Sequence, residues 1–411
     1  MKLLWIGVGV GPVMLRFIEK HHGVLLSAYV SETNIQTGID QLGIDMDTIN
    51  SCQISENCKV SRSSVRVVPA EKWSRNGKSE DSSVSYVNLP YFSILSRSYA
   101  LQKAARQWAI KYIERKDITV ILYSMHSPFL KAALEIKKIN PAAKICLIVP
   151  DLPQYMDMHM SCLKKALKKI DWIQIRHMIQ KVDEFVLYAK PMASYLKLQH
   201  KKWMVFEGSY DNETLLDMKE PEENESGKIA VMYSGVLDER YGIPELIEAM
   251  QLLDNRFELW ITGKGNAEER IRQAAQKDSR IHFYGFLSSR QELIELQRKA
   301  TLLISPRKVQ EDASRYCFPS KLFEFMVSGN PVISSYLEGI PEEYYPYLLE
   351  LPSTTREDIA ASIRKGADMS AQERYEFGKK ARDFVLQNKN KNVQAKKIID
   401  FLQGEIVPVI D

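Results

Sequence analysis

Two successive runs of alternating strand-like and helix-like segments constrain this chain more than any other feature of its 411 residues. In the first run, residues 2–8, 25–30, 119–123, 144–149 and 184–187 read as strands, with helices at 99–113 and 128–138. Ile145-Cys146-Leu147-Ile148-Val149 is apolar without alternation, which suits a strand of a parallel sheet covered on both faces. Residues 55–88, rich in Ser, Arg and Lys, show no such pattern and are predicted to form an exposed, mobile excursion. Lys219-Glu220-Pro221-Glu222-Glu223-Asn224-Glu225-Ser226-Gly227 is acidic and broken by Pro and Gly, a linker composition. The second run then places strands at 229–233, 257–261, 281–284, 301–304 and 331–334, and helices at 243–253, 267–276, 290–299 and 321–328. Two doubly wound α/β domains follow. Ligands of such domains sit beyond the carboxyl ends of the strands, so a tandem pair is expected to face a central cleft.

Charge divides the chain in the same way. Residues 1–210 carry 29 Lys and Arg against 18 Asp and Glu, a balance of +11; residues 211–411 carry 27 against 34, a balance of −7, and the two restore the chain's +4. A basic first half favours anionic partners. Its strongest local contributor is the segment 162–173, where Leu163, Leu167, Ile170 and Ile173 share one side of a helix flanked by Lys164, Lys165, Lys168 and Lys169. That stripe either packs on its own domain or contacts anionic lipid. Nucleic acid is not expected, because the segment lacks arginine content and stacking aromatics. Cys52, Cys58, Cys146, Cys162 and Cys317 are scattered, with no C-x-x-C pair. A disulfide framework and a structural zinc site are therefore not expected, and a reducing cytoplasm fits. No export signal is visible at the amino end, and no run of about eighteen apolar residues occurs, so membrane contact would be peripheral.

Two regions carry candidate chemistry. Gly7-Val8-Gly9-Val10-Gly11-Pro12 follows the first strand, where bare backbone can approach a ligand. It is a near miss for a dinucleotide fingerprint, with Glu32 in place to imitate the ribose-binding acid; the alternative is a tight turn that admits substrate backbone or sugar. The second region runs from Leu302-Leu303-Ile304-Ser305-Pro306-Arg307-Lys308 to Phe318-Pro319-Ser320-Lys321-Leu322-Phe323-Glu324. Pro319 and Ser320 suit a helix start, with Ser320 as its cap. Lys321 then falls in the first turn, where a cation is unfavourable unless an anion also binds there. A diphosphate shared by Lys321 and Arg307 resolves the conflict, and Glu324 on the same face can accept hydrogen bonds from ribose hydroxyls. No Gly-x-Ser-x-Gly elbow supports a hydrolase.

At these residues the sequence resembles the retaining, nucleotide-sugar-dependent glycosyltransferases of the GT-B architecture, in the family-four group used in polysaccharide assembly. Tyr233-Ser234-Gly235-Val236-Leu237, Trp260-Ile261-Thr262-Gly263-Lys264-Gly265, Phe283-Tyr284-Gly285-Phe286-Leu287 and Phe318-Pro319-Ser320-Lys321-Leu322-Phe323-Glu324 stand in the family's order. The resemblance implies two Rossmann-like domains: an acceptor-binding domain at 1–205, a hinge at 206–227, a nucleotide-sugar domain at 228–385, and a helix at 386–411 returning to the first domain. It implies Gly9, Gly11, Gly235, Gly263, Tyr284, Phe286, Arg307, Glu311, Ser320, Lys321 and Glu324 around the donor, and His126, Asp151, Arg307 and Lys321 in catalysis. Two departures stand out. Tyr316 occupies the position of the family's first glutamate, for which Glu311 or Asp312 would substitute, and the usual Arg and Lys of the diphosphate clamp fall on Val236 and near Arg240 or Tyr241. Arg307 and Lys321 would replace them. The implied activity needs no metal or cofactor and moves a sugar, UDP-linked by preference, to a polyprenyl-diphosphate-linked or oligosaccharide acceptor on the cytoplasmic face of a membrane, in capsule or exopolysaccharide assembly. A catalytically silent GT-B partner of another transferase is the alternative that Tyr316 keeps open.

Overall fold

A computed structural model describes residues 1–20, 27–51, 66–89, 92–152, 162–211, 227–309 and 312–406. The chain forms two compact units: Met1–Tyr188 with Met192–Ser209 and Lys391–Asp411, and Tyr210–Asn390 with Ala189–Pro191.

The first unit is built on β1 (Lys2–Gly7), β2 (Asp45–Asn50), the two-stranded ribbon of β3 (Val67–Val68) and β6 (Tyr86–Val87), β4 (Glu71–Trp73), β5 (Asp81–Ser83), β7 (Ile118–Tyr123), β8 (Lys144–Val149), β9 (Glu184–Leu187) and β10 (Lys202–Val205). Eight of these form one sheet in the order β10-β9-β8-β7-β1-β2-β5-β4, parallel except for β4. Two expectations fail here. Within the segment expected as a strand at 25–30, the described residues begin the helix Ser27–Gln41, and the second strand is instead Asp45–Asn50. Asp-Met-Asp-Thr-Ile-Asn shows no apolar run, yet Asp47 is buried because Lys2 Nζ (2.9 Å) and Trp108 Nε1 (2.8 Å) meet its carboxylate. The excursion expected at 55–88 is also corrected for its described part. Residues 66–89 supply β3 to β6 and extend the sheet through a polar network, in which Asp81 accepts from Thr48 Oγ1 (3.0 Å) and pairs with Arg75 (3.2 Å). Residues 52–65 lie outside the described part.

The carboxyl-terminal helix Lys391–Gln403 belongs to this first unit. Ala395, Ile398, Ile399, Phe401 and Leu402 share a core with Leu3, Trp5 and Ile35. Gly38 permits the contact, since a Cβ there would stand 2.5 Å from the Lys391 carbonyl oxygen.

The second unit is a wholly parallel sheet of β11 (Ile229–Val236), β12 (Phe257–Lys264), β13 (Ile281–Gly285), β14 (Leu302–Ser305), β15 (Val332–Ser335) and β16 (Leu349–Leu351), in the order β13-β12-β11-β14-β15-β16. Strand order reverses on either side of β11, so the β11/β14 junction is a topological switch point, where crossovers depart to opposite faces and leave a crevice at the strand carboxyl ends. Apolar side chains fill both faces, with Tyr233, Leu259, Ile261 and Ile304 in one cluster and Met232, Leu303, Phe325 and Met326 in the other.

Candidate functional site

In the second unit, the carboxyl ends of β11, β12 and β14 meet at positions that demand glycine. Gly235 has φ 130° and Gly263 φ 143°, and a Cβ on Gly263 would lie 1.8 Å from the Gly235 carbonyl oxygen. Lys321 lies beside this backbone, its Nζ 3.9 Å from where a Cβ on Gly235 would stand, an ordinary contact; the positive φ, not the lysine, is what requires glycine there. Lys321 Nζ also lies 3.9 Å from the centroid of the Tyr233 ring, whose hydroxyl donates to the Val236 carbonyl oxygen (2.8 Å). Across the switch point, the half-buried Arg307 guanidinium lies 4.2 Å from the Tyr241 ring centroid and donates through one terminal nitrogen to Cys317 Sγ (3.6 Å). Its Nε is buried without a hydrogen-bond partner.

Neither cation has a carboxylate within ion-pair distance among the described residues, although their neighbours do: Arg240 pairs with Asp238 (2.6 Å) and Lys308 with Glu245 (2.7 Å). Burial, then the Arg307 charge, push the Lys321 ammonium well below the ordinary lysine range, and Glu324 opposes them. Enclosure by surrounding protein raises the Glu324 carboxyl, while Arg290 and Lys321 act the other way; its side chain still reaches solvent. Two like charges near one another are mutually unfavourable, and an anion placed between them removes the penalty.

The expectation for Ser320 is corrected. It occupies the position before the helix Lys321–Val327 with helical angles (φ −54°, ψ −24°), and its side chain makes no cap, because a capping hydroxyl needs extended backbone to reach back to the helix amides. The helix has seven residues, so its dipole is short. The cation pair is the stronger part of the site. On the β12/β13 side, Tyr284 (43% exposed) and Phe286 (56% exposed) flank Gly285, with Lys264 Nζ 4.1 Å from the Phe286 ring centroid. Exposed rings beside a cation offer a stacking surface to a planar group. The supporting roles of Tyr233 and Tyr241 had no local sequence signal, since each is created by a cation from a distant segment. Glu311 lies outside the described residues, as does the side chain of Asp312. Tyr316 is half-buried, with Arg315 5.8 Å from its ring centroid.

The glycine loop of the first unit is different. Glu32 is fully buried beneath it and accepts hydrogen bonds from Trp5 Nε1 (2.7 Å), Val8 N (2.9 Å), Gln36 Nε2 (3.1 Å) and the Gly9 amide. Burial pushes its carboxyl up to about 7, and those donors hold it from going higher. A Cβ on Gly7 would stand 2.2 Å from Glu32 Oε1, one on Gly9 2.5 Å from Asn50 Nδ2, and one on Gly11 2.3 Å from Glu71 Oε2. Glu71 itself accepts from the Val13 and Met14 amides (2.8 and 3.3 Å) at the start of the helix Pro12–Lys20. The expected dinucleotide-type role of Glu32 is therefore corrected: it is a helix residue turned inward, and the protein's own carboxylates already take the amides that a pyrophosphate would need. Gly9 and Gly11 lie against the side chains of Asn50 and Glu71.

His126 and Asp151 follow the adjacent strands β7 and β8 and so stand at one end of this sheet. His126 succeeds Ser124, a non-glycine at φ 82°, and its ring meets the edge of Phe129 (centroids 5.4 Å apart). Burial and the Arg97 charge lower its imidazole to about 4, so it is neutral at pH 7 and can serve as a hydrogen-bonding group but not as a cation. Asp151 is exposed. An Asp-x-Asp triplet, Asp45-Met46-Asp47, is a structural pair held by Lys2 (2.6 and 2.9 Å). The basic helix Cys162–Ile179 packs through Ile175, Met178 and Ile179, while Leu167, Ile170 and Ile173 remain exposed. The side chains of 162–165 lie outside the described residues.

Residues 228–366, all in the second unit, match the family model described as Glycosyl transferases group 1. No curated protein matches the chain in sequence. Solved structures share its fold along almost the whole length. Trehalose-6-phosphate synthase OtsA is 12% identical, with 100% of each chain covered and a TM-score of 0.66. Alr3699/HepE of Anabaena, solved in complex with UDP, is 10% identical over 98% of this chain and 100% of its own, with a TM-score of 0.64. The lipopolysaccharide outer core galactosyltransferase WaaB is 16% identical over 99% and 100%, with a TM-score of 0.62. Residues 228–366 are thus a glycosyltransferase domain of group 1, carried in a chain that has the α/β GT-B fold of OtsA, HepE and WaaB.

Proposed function

We propose that the protein is a retaining glycosyltransferase whose second unit binds a nucleoside-diphosphate sugar, with UDP as the nucleotide, and whose first unit takes a lipid-linked or oligosaccharide acceptor in capsule or exopolysaccharide assembly. The observation that carries the reading is the Arg307–Lys321 pair, two cations with no ion-paired carboxylate among the described residues, at the switch point of a parallel sheet. As the bond from the anomeric carbon to the phosphate oxygen breaks, its electron pair leaves with the diphosphate. Arg307 and Lys321 stabilise that charge where it develops. The acceptor oxygen forms its bond on the same face of the anomeric carbon, and its proton passes to the departing diphosphate or to Asp151. His126, neutral, orients a sugar hydroxyl, Glu324 accepts from the ribose, and Tyr284 and Phe286 lie against the base. The structural neighbour HepE was solved with UDP, and a trehalose-6-phosphate synthase of the same fold with UDP-2-fluoro glucose, which supports the choice of nucleotide.

Exposure of Leu167, Ile170 and Ile173 on the lysine-rich helix supports an acceptor held at an anionic membrane on its cytoplasmic face. Among the described residues no helix is long and apolar enough to cross a membrane. The test is UDP release from a panel of UDP-sugars in the presence of polyprenyl-diphosphate-linked saccharides. Acceptor-dependent release by the wild type, lost in Lys321→Ala, supports the reading; release from none of the UDP-, GDP- or CMP-sugars overturns it in favour of a silent partner.

A further inference from the structure

The helix Phe92–Lys111 leads into β7, the helix Ser127–Ile139 connects β7 to β8, and Cys162–Ile179 connects β8 to β9. The first and third both pack against the second. Each runs back toward the amino end of the strand that follows it, so all three begin at the carboxyl end of the sheet, where His126 and Asp151 stand. The middle helix is buried along Phe129, Leu130, Ala133 and Ile136. Its two flanking helices instead present apolar residues to solvent at helical spacing: Phe92, Leu95 and Tyr99 in the first turns of one, Leu167, Ile170 and Ile173 along the middle of the other, each 45–71% exposed. Ser96 Oγ donates to the Val87 carbonyl oxygen (3.0 Å), which sets the exposed cross-strand pair Val67 and Val87 beside the first of these stripes.

The charge carried by these two helices is mostly of one sign. Phe92–Lys111 contains Arg97, Lys103, Arg106 and Lys111 and no acidic residue, although neighbouring segments supply Glu135 to Arg106 (3.2 Å) and Glu80 to Lys111, and Arg97 is half-buried. Cys162–Ile179 contains five Lys and Arg against Asp171 alone. Exposed apolar side chains flanked by the exposed cations Lys103, Lys169 and Arg176 fit the interface of an anionic bilayer, where rings and aliphatic chains enter the headgroup boundary and cations meet lipid phosphates. A soluble acidic partner would not need two apolar stripes on separate helices.

We propose that the helix Phe92–Lys111, with the Val67–Val87 ribbon, is a second bilayer contact that acts together with Cys162–Ile179 and turns the carboxyl end of the first sheet toward an anionic membrane. This goes beyond the activity proposed above and is measurable without donor or acceptor, so failure of either reading leaves the other standing.

The experiment is co-sedimentation of the full chain with phosphatidylcholine vesicles, pure or containing roughly one-third phosphatidylglycerol. The expected result is partitioning onto the anionic vesicles only, reduced about tenfold or more by Phe92→Ser/Leu95→Ser/Tyr99→Ser and by Leu167→Ser/Ile170→Ser/Ile173→Ser separately, with thermal unfolding unchanged because these side chains are exposed. Should a triple variant fold poorly, Phe92→Trp provides a second readout, its fluorescence being quenched by brominated lipid. Partitioning of the Phe92 triple variant within about twofold of wild type, equal binding to both vesicle types, or no added quenching would overturn the proposal. So would a concentration-dependent dimer, without vesicle binding, that the same substitutions dissolve.

Discussion

The two units solve the same electrostatic problem in opposite ways. Each has a sheet whose first strand ends in glycine-bearing backbone. In the first unit, Glu32 and Glu71 occupy the anion positions from within, on the amides of Val8, Gly9, Val13 and Met14. In the second, Lys321 lies beside Gly235, and no carboxylate among the described residues pairs with Lys321 or Arg307. A glycine loop after a strand therefore says little about phosphate binding until its amides are accounted for. One unit meets its loop amides with its own carboxylates, while the other sets two cations near one another.

Substitution of the cation pair breaks this contrast most directly. Lys321→Ala is expected to lower kcat/KM about 10²–10³-fold, the range seen when one donor to developing charge is removed, with little loss of folding stability. A small loss in kcat/KM would place the diphosphate elsewhere. On the other side of the comparison, Glu32→Ala leaves Trp5 Nε1 and the Val8 and Gly9 amides without their buried acceptor. It should cost about 3 kcal/mol in denaturant unfolding while leaving UDP affinity within about twofold. A large change in UDP affinity would mean the first unit's loop serves the nucleotide after all.

Acid titration sharpens the same point. The folded Glu32 carboxyl, at about 7, lies above its unfolded value of 4.5, so the native state binds more protons between the two. Its contribution is fully present below the unfolded pKa and is lost as pH rises through 7, a fall of up to about 3 kcal/mol that Glu32→Gln should flatten. A difference curve between wild type and Glu32→Gln that is level from pH 4 to 8 would contradict the buried-acid account. Nucleotide affinity titrates through the other unit. Because Lys321 is lowered, its ammonium is lost at a pH below the ordinary lysine range, and UDP affinity should fall roughly tenfold on crossing that pH. Lys321→Arg should remove the fall, which calorimetry across pH would show. The smallest effect is expected from Glu71→Gln, about 0.5–1 kcal/mol of unfolding free energy from a weakened contact with the start of Pro12–Lys20.

Legibility in the sequence followed the kind of interaction that buries each element. Strands such as Lys144–Val149 and Glu184–Leu187 could be read directly because apolar residues pay for their burial. β2 and β5 could not, since Asp47 and Asp81 are buried by pairing with Lys2 and Arg75 from distant segments, and a local pattern cannot show a partner. The apolar stretch at residues 25–30 misled for the converse reason: its described part begins a helix, and short apolar runs do not distinguish the two. At the site, Lys321 was legible because a cation in the first turn of a helix is a local conflict. Tyr233 and Tyr241, which lie beneath the two cations, were not, because cation–ring contact is a property of the fold.

The central claim is that the Arg307–Lys321 pair of the second unit binds the diphosphate of a nucleotide. Thermal unfolding of wild type and Lys321→Ala with UDP, GDP, CMP and NAD tests it, since a ligand at a hundred times its dissociation constant adds about 2.7 kcal/mol. A shift of the wild type by UDP, absent in Lys321→Ala and not reproduced by NAD, is the predicted result. An equal UDP shift in both proteins, or a shift with NAD alone, would contradict it.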